Sequence, residues 1–390
     1  MLQAERHLAG KATPTLNDRL VAAGGRPSGF DYLRLILSIS VIFIHSFQVV
    51  IGHDFFYYYH NGIFRPVSAA IVPMFFALSG FLVAGSLERS KTLISFLGLR
   101  VIRIVPALAV ETTLCALLIG PLFTAFGFSE YFSNPMLTHY FLNTVGIIQY
   151  HLPGVFEKNP CPGLVNNQLW TIPWELRCYT LIAAFALIGV VRRSSRFLMI
   201  VVALNFALLF YEIFKPHHSP VPAYICNGGV LIQSFLYGIC FFFFRSKIVF
   251  NRWLFFASVP LVYFLLSIRF DFFGDFLAPL PIAYLTIYLG LLEPRRLKIV
   301  SSGDYSYGIY LFGYPVQQAV VAILGAAGLH WYMNFPLSLL IVSSIAFCSW
   351  HFVEKPASKL RAQLFRLEAT LRAGALRFPA LRILIAAARE

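Results

Sequence analysis

The chain has 390 residues, 58% of them hydrophobic and only 12% charged, with a mean hydropathy of +0.72. A soluble domain carries about 25% charged residues, so composition excludes a soluble enzyme and predicts an all-α polytopic membrane protein. The formal net charge of +14 raises nucleic acid as a partner, and the placement of the basic residues then excludes it.

Residues 1–29 form a polar leader, expected to be a disordered cytoplasmic segment. No cleavable signal peptide is expected, because the first apolar run is too long and lacks a small-residue exit. At about 20 apolar residues per crossing, ten spans are predicted, at roughly 30–52, 67–87, 104–125, 169–191, 197–214, 223–244, 253–268, 276–293, 304–326 and 335–353. The apolar stretch THYFLNTVGIIQY (138–150) is too short to cross and reads as interfacial or re-entrant. The six cysteines lie mostly inside apolar runs, with no CxxC pair, and read as core residues rather than as disulfides or metal ligands.

With the N-terminus inside, the segments expected to face the cytoplasm hold 25 of the 31 Lys and Arg, and the outer loops hold four. That bias supports an even number of spans and cytoplasmic termini. The residues after Glu354 repeat leucine at 360, 364, 367 and 371 with basic residues between. This tail, 355–390, is predicted to be an amphipathic helix on the anionic inner leaflet, broken near Pro379. The positive charge thus serves topology and membrane lipids, and no nucleic acid is expected.

The first span carries two costly residues, Arg34 and His45. They are eleven positions apart and project from one helical face, about 16 Å apart along the axis. Ser38 and Gln48 lie close to the same stripe. The strings RLILSISVIFIH (Arg34 to His45), VPMFFALSGF around Ser79, RVIRIVPAL (100–108), LWTIPWEL (169–176), SYGIYLFGYPV (306–316) and FVEKP (352–356) occur in this order. Taken together they resemble the bacterial membrane-bound acyltransferase-3 family over about residues 28 to 360.

The resemblance implies a ten-helix membrane domain over 30–354, built around a central tunnel or cavity, in the bacterial inner membrane. It also implies transfer of an acyl group, acetyl in the first instance, from acyl-CoA to a hydroxyl of a surface or secreted carbohydrate or glycolipid. The acyl-CoA is a donor substrate, and no permanently bound cofactor or metal is expected.

His45 suits a general base, since a neutral imidazole titrates near physiological pH; a histidine satisfied by a buried partner is the structural alternative. Arg34, about 6 Å in from the inner boundary, is a candidate for holding or orienting the donor, with an ion pair to Asp31 as its alternative. Arg100 and Arg103 are further candidate donor contacts, and also ordinary inside-positive residues. Ser79, with Gly80, either packs helices closely, shaping the donor site, or acts as a nucleophile. Glu175 is expected at the depth of His45, orienting the imidazole or binding acceptor hydroxyls; an ion pair with Arg177 is its alternative. Trp170 and Trp174 read as interface anchors or sugar platforms, and FFYYYH (55–60) as part of an acceptor site.

Two departures from the family stand out. Gly313 replaces a histidine found in many members, and no appended SGNH-type domain is expected. A transporter or lipid-linked glycan flippase using the same polar stripe is the rival function. Internal repeats, common in such folds, are not evident. The oligomeric state is not legible.

Overall fold

A computed structural model of the chain describes residues 13–52, 54–55, 62–90, 92–214, 228–268, 273–325 and 329–375. Among them the secondary structure is helical, with three isolated β-bridges and no strand. The main helices are α1 (Leu16–Ala22), α2 (Gly29–Ile51), α3 (Arg65–Arg89), α4 (Leu93–Leu114), α5 (Ile172–Leu187), α6 (Ser194–Phe214), α7 (Gly228–Phe243), α8 (Arg252–Ser267), α9 (Pro279–Gly290), α10 (Ser306–Leu324), α11 (Trp331–Ser349) and α12 (Leu360–Ala375). Each of the ten predicted apolar segments overlaps one of them. Six helical stretches are long and apolar enough to cross a membrane, and α7, α8 and α9 are apolar but shorter.

Two boundaries differ from expectation. The leader is ordered from residue 13. Thr15 caps α1 in a reciprocal box with Asp18, and the Leu16 amide donates to the Ile248 carbonyl at 2.9 Å. Residues 1–12 lie outside the described residues. The third apolar helix starts at Leu93 rather than 104, because the Thr92 hydroxyl accepts from the Ser95 amide and caps it there. Arg100 and Arg103 therefore belong to the helix and not to the preceding loop. The 138–150 stretch is a short helix (Pro135–Tyr140) and a single 3-10 turn (Phe141–Val145), followed by irregular chain. None of these is long enough to cross.

The chain divides into two compact units. One comprises Met1–Leu33, Val72–Gly85 and Ser194–Ser301, the other Arg34–Ile71, Ser86–Arg193 and Ser302–Glu390. The first unit is built on glycine. A Cβ on Gly80 would lie 2.0 Å from the Phe235 carbonyl oxygen, and one on Gly238 would lie 2.1 Å from that of Ala77. Thus α3 and α7 touch backbone to backbone, as small residues permit between apolar helices. The foot of α2 is tied to the end of α9: Ser28 donates to the Pro294 carbonyl at 2.8 Å and Tyr32 to that of Arg295 at 2.8 Å.

The second unit is organised on α10. Against α11 a Cβ on Gly308 would come within 2.9 Å of the Ala346 Cβ. The segment between α4 and α5 is fastened to α10 by amide side chains. Gln318 donates to the carbonyls of Cys161 and Leu164, both at 2.8 Å, and Asn159 donates to Gln318 at 2.9 Å. Gln168 donates to the Leu311 carbonyl and its own carbonyl accepts from Tyr310. These bonds satisfy irregular backbone that would be costly in a buried setting. The tail helix α12 sets Leu364 against Gly98 of α4, where a Cβ would meet the leucine methyls at 2.7 Å. Leu360, Phe365 and Leu367 of α12 are exposed.

The Gly80 contact leaves no room for a methyl group. Gly80→Ala is expected to destabilise the protein by about 1–3 kcal/mol through overpacking. Gly127→Ala, where nothing lies within 4 Å of the added Cβ, should stay within about 0.5 kcal/mol. Thermal unfolding in detergent measures both, and equal melting temperatures would contradict the close packing.

Candidate active site

The polar face of α2 meets α10 along its length. Arg34 Nη1 donates to Asp304 Oδ2 at 2.8 Å. One turn on, the Ser38 hydroxyl bridges the carbonyls of Arg34 (2.8 Å) and Ser306 (2.9 Å). Gln317 donates to the Ile42 carbonyl at 2.7 Å, and the His45 ring stands edge-on to Tyr314, with centroids 5.1 Å apart. The contacts Arg34–Asp304, Ser38–Ser306, Ile42–Gly313 and His45–Tyr314 rise together in residue number, so the two chain segments run parallel. The spacing 34, 38, 42, 45 is that of one helical face. At the level of Ser38 and Ile42 the two helices pack directly on each other, and the stripe is a sealed seam there.

At the Arg34 end of the seam, called inner from the orientation expected of the basic residues, lies a cluster of charges. Asp304 sits just before α10 and receives the Ser306 hydroxyl at 2.6 Å as well as Arg34. Burial alone would raise its carboxyl, but the charges of Arg34 and Arg103 and the Ser306 bond hold it below its ordinary value. Arg103 of α4 interacts electrostatically with Asp304, Tyr179, Glu175 and Tyr307, and also with Glu354. Arg100, one turn earlier, lies over the rings of Phe96 (5.3 Å) and Tyr179 (5.7 Å), and its buried Nε has no hydrogen-bond partner among the described residues. The Tyr179 hydroxyl donates to Glu175, one turn before it on α5. Tyr307 donates to the Ile104 carbonyl at 3.2 Å. Glu354 receives the Ser349 hydroxyl at 3.0 Å.

Glu175 therefore groups with Arg100 and Arg103. Among the described residues it makes no hydrogen bond to His45, so the orienting contact expected between them is not formed. The reason is local: Tyr179 at i+4 takes the carboxylate along the helix, and two arginines of α4 supply the opposite charge. Nor does Glu175 pair with Arg177, whose guanidinium lies 4.2 Å over the Trp174 ring. Arg34 has found a partner 270 positions away, one that spacing along the first span does not reveal.

His45 stands at the outer part of the seam. Its ring is half-buried, and Nδ1 is buried without a hydrogen-bond partner among the described residues. On the far side of α2, Phe43 and Phe47 pack with Trp331 of α11, the Phe47 and Trp331 rings stacked at 4.5 Å. Beyond His45, the Gln48 carbonyl accepts from the Cys161 thiol at 3.2 Å, and its side-chain oxygen accepts from Asn167 at 3.4 Å. An imidazole free at one nitrogen, held by packing rather than by an acid, can take up a proton from a bound hydroxyl.

Ser79 belongs to the first unit, where it precedes Gly80 in the contact between α3 and α7. Trp170 is half-buried at the start of α5. Phe55 is buried, and residues 56–60 of the aromatic run lie outside the described residues. Gly313 packs on Ile42, with 3.0 Å between an added Cβ and Cγ1. Among the described residues no group of three His, Cys, Asp or Glu is placed to hold a metal.

Sequence reasoning missed Asp304, Tyr179, Tyr307 and Tyr314, all inside or beside quoted motifs. It also missed Glu111, a charge within an apolar run. Glu111 is fully buried on α4, where it accepts from the Cys115 thiol at 3.3 Å at the start of the π-helical turn Cys115–Ile119. A tally of acidic as well as basic residues inside spans would have found it.

Comparison with known proteins gives the family. The chain is 26% identical over 338 residues to an O-acetyl transferase of Shigella phage Sf6, covering 84% of this chain and 94% of that protein. It is 27% identical over 376 residues to Nodulation protein 10 of Rhizobium leguminosarum bv. viciae, covering 88% and 96%. No solved structure matches. An acyltransferase domain profile matches residues 28–353, a stretch that holds both ends of the seam and every charge of the cluster but Glu354, the residue that follows it. The chain belongs to the membrane-bound acyltransferase-3 family and is an acyltransferase.

Proposed function

We propose that this enzyme, in the bacterial inner membrane, moves a short acyl group, acetyl in the first instance, from acyl-CoA to a hydroxyl of a surface or secreted carbohydrate or glycolipid. One observation carries the reading. Arg34 and His45 share a face of α2, with guanidinium groups gathered at one end and an unpartnered imidazole about 16 Å away at the other. That separation is comparable to an extended pantetheine arm, so one donor molecule reaches both ends.

The chemistry follows from the two ends. Three arginines face three acids at the inner end, and Arg100 Nε is the donor left over for a phosphate of the donor substrate; guanidinium groups suit such anions. Arg34 and Arg103, engaged by Asp304, Glu175 and Glu354, hold the cluster in shape. Because the seam is sealed at Ser38 and Ile42, the pantetheine arm runs beside it rather than through it. At the outer end His45 takes the proton of the acceptor hydroxyl as its oxygen attacks the thioester carbonyl. The name of the phage relative, an O-acetyl transferase, supports acetyl as the group and oxygen as the acceptor atom.

Ten spans with both termini in the cytoplasm fit the parallel pairing of α2 and α10. Two helices pointing the same way differ by an even number in span order, as a first and a ninth span do. The excess of basic residues on the inner side supports the same orientation.

Membranes from expressing cells, given labelled acetyl-CoA, test the assignment through base-labile label in the carbohydrate fraction. His45→Ala should lower the rate at least about 100-fold at unchanged protein level. Arg100→Ala should raise KM for acetyl-CoA about 10-fold or more, since a charged hydrogen bond contributes about 1.5–3 kcal/mol, and leave kcat near its original value. Label transferred by His45→Ala membranes at the original rate would refute the role of the imidazole.

The inner ion pair makes a pH prediction. A carboxyl held below its ordinary value contributes stability that is present above the unfolded value and lost as pH falls through the folded one. Asp304→Asn should therefore melt lower than the unaltered protein at neutral pH, and the two should converge below about pH 3.9. A difference in melting temperature that persists in acid would contradict an ionised Asp304.

A further inference from the structure

Tyr314 is fully buried on α10, packed with Val49, Val321 and Leu329, yet its hydroxyl has no hydrogen-bond partner among the described residues. The one polar atom set against it among the described residues is the Cys161 sulfur, a weak acceptor, and that thiol directs its own hydrogen to the Gln48 carbonyl at 3.2 Å. The ring it touches edge-on is that of His45, whose buried Nδ1 is likewise without a partner. Buried polar atoms are nearly always paired, and an unpaired hydroxyl is destabilising relative to a phenylalanine that would pack the same way. Two such atoms on two touching residues mark one place where a polar ligand is received.

Their chemistry is complementary. The phenol is a donor, and the neutral imidazole is an acceptor of a proton. Attack of a hydroxyl on a thioester needs one of each: a base for the hydroxyl proton, and a donor for the carbonyl oxygen as it gains negative charge. We propose that Tyr314 is a catalytic residue that donates its hydroxyl hydrogen bond to the thioester carbonyl oxygen of the acyl donor, opposite His45 acting as base. This rests on the acyl-CoA reading given above.

The step balances without another reagent. The acceptor oxygen forms a bond to the carbonyl carbon while its proton passes to His45. The carbonyl π pair moves onto oxygen, where the Tyr314 hydroxyl stabilises it. Collapse reforms the carbonyl and breaks the carbon–sulfur bond, and the departing thiolate takes the proton from His45. Tyr314 keeps its own proton throughout. Gly313, the preceding residue, brings no polar group to this turn.

Tyr314→Phe keeps the ring and removes only the hydroxyl. With labelled acetyl-CoA and membranes carrying the native acceptor, it should lower kcat about 100-fold, leave KM for acetyl-CoA within about 2-fold, and leave the melting temperature unchanged or raised. Cys161→Ala should keep the original kcat. A Tyr314→Phe protein with the original kcat overturns the proposal. So does one whose loss of rate is matched by a lower melting temperature and reproduced by Cys161→Ala, which would make the hydroxyl structural. No label transfer by the unaltered protein, with other solutes moving instead, overturns the reaction itself. An inactive His45→Ala beside a fully active Tyr314→Phe overturns only the role of Tyr314.

Discussion

Arg34 on α2 and Asp304 at the foot of α10 meet at 2.8 Å, and the consequences run up both helices. A slip of one residue in their register would rotate the facing side chains by about 100° and leave a guanidinium without its acid. A charge with restricted access to water tolerates that poorly. The ion pair thus fixes the register at the inner end. Ser38 bonded to Ser306 and Ile42 bonded to Gln317 fasten the two helices further along, so His45 arrives against Tyr314. The distance between the charged end and the imidazole is set by helix geometry, the most rigid ruler a chain can build.

Hydrophobic burial gives two apolar helices in a membrane little reason to choose one register over another, because lipid is as apolar as either surface. Specificity has to come from shape and from polar bonds. The first unit uses shape: Gly80 and Gly238 bring two backbones together, and only one alignment of α3 with α7 permits it. The second unit uses polar bonds, with Gln168, Gln317 and Gln318 each donating to a backbone carbonyl. Those amides also secure the irregular segment between α4 and α5, so the surroundings of His45 are held by side chains of α10 rather than by a helix of their own.

Much of the fold was legible because its signals are local. Apolar run length located the apolar helices, six of them among the described residues long enough to cross a membrane, and the eleven-residue spacing put Arg34 and His45 on one face. The start of α4 was misplaced because Arg100 and Arg103 look like loop charges until their partners are known. Those partners come from α5, from the foot of α10 and from Glu354, distant in sequence. Glu175 was rightly singled out as a charge in an apolar context. Its neighbours were not predictable from depth along one helix, since depth says nothing about azimuth or about which helices adjoin. Tyr314 sits inside a quoted string and Asp304 two residues before it, yet neither is unusual by type; only the packing of α10 on α2 makes them stand out. Ser79 illustrates the converse, since its surroundings in the glycine contact follow from the small residue beside it.

The account's central claim is that one acyl-CoA molecule joins the two ends of the α2 face. A structure of the protein determined with coenzyme A bound, by electron cryomicroscopy in lipid, tests it most directly. The account predicts nucleotide phosphate density at Arg100, beside Arg34 and Arg103, with the pantetheine arm running beside the seam and its sulfur next to His45 and Tyr314. Coenzyme A seated away from the arginine cluster, or with its sulfur remote from His45, would contradict it.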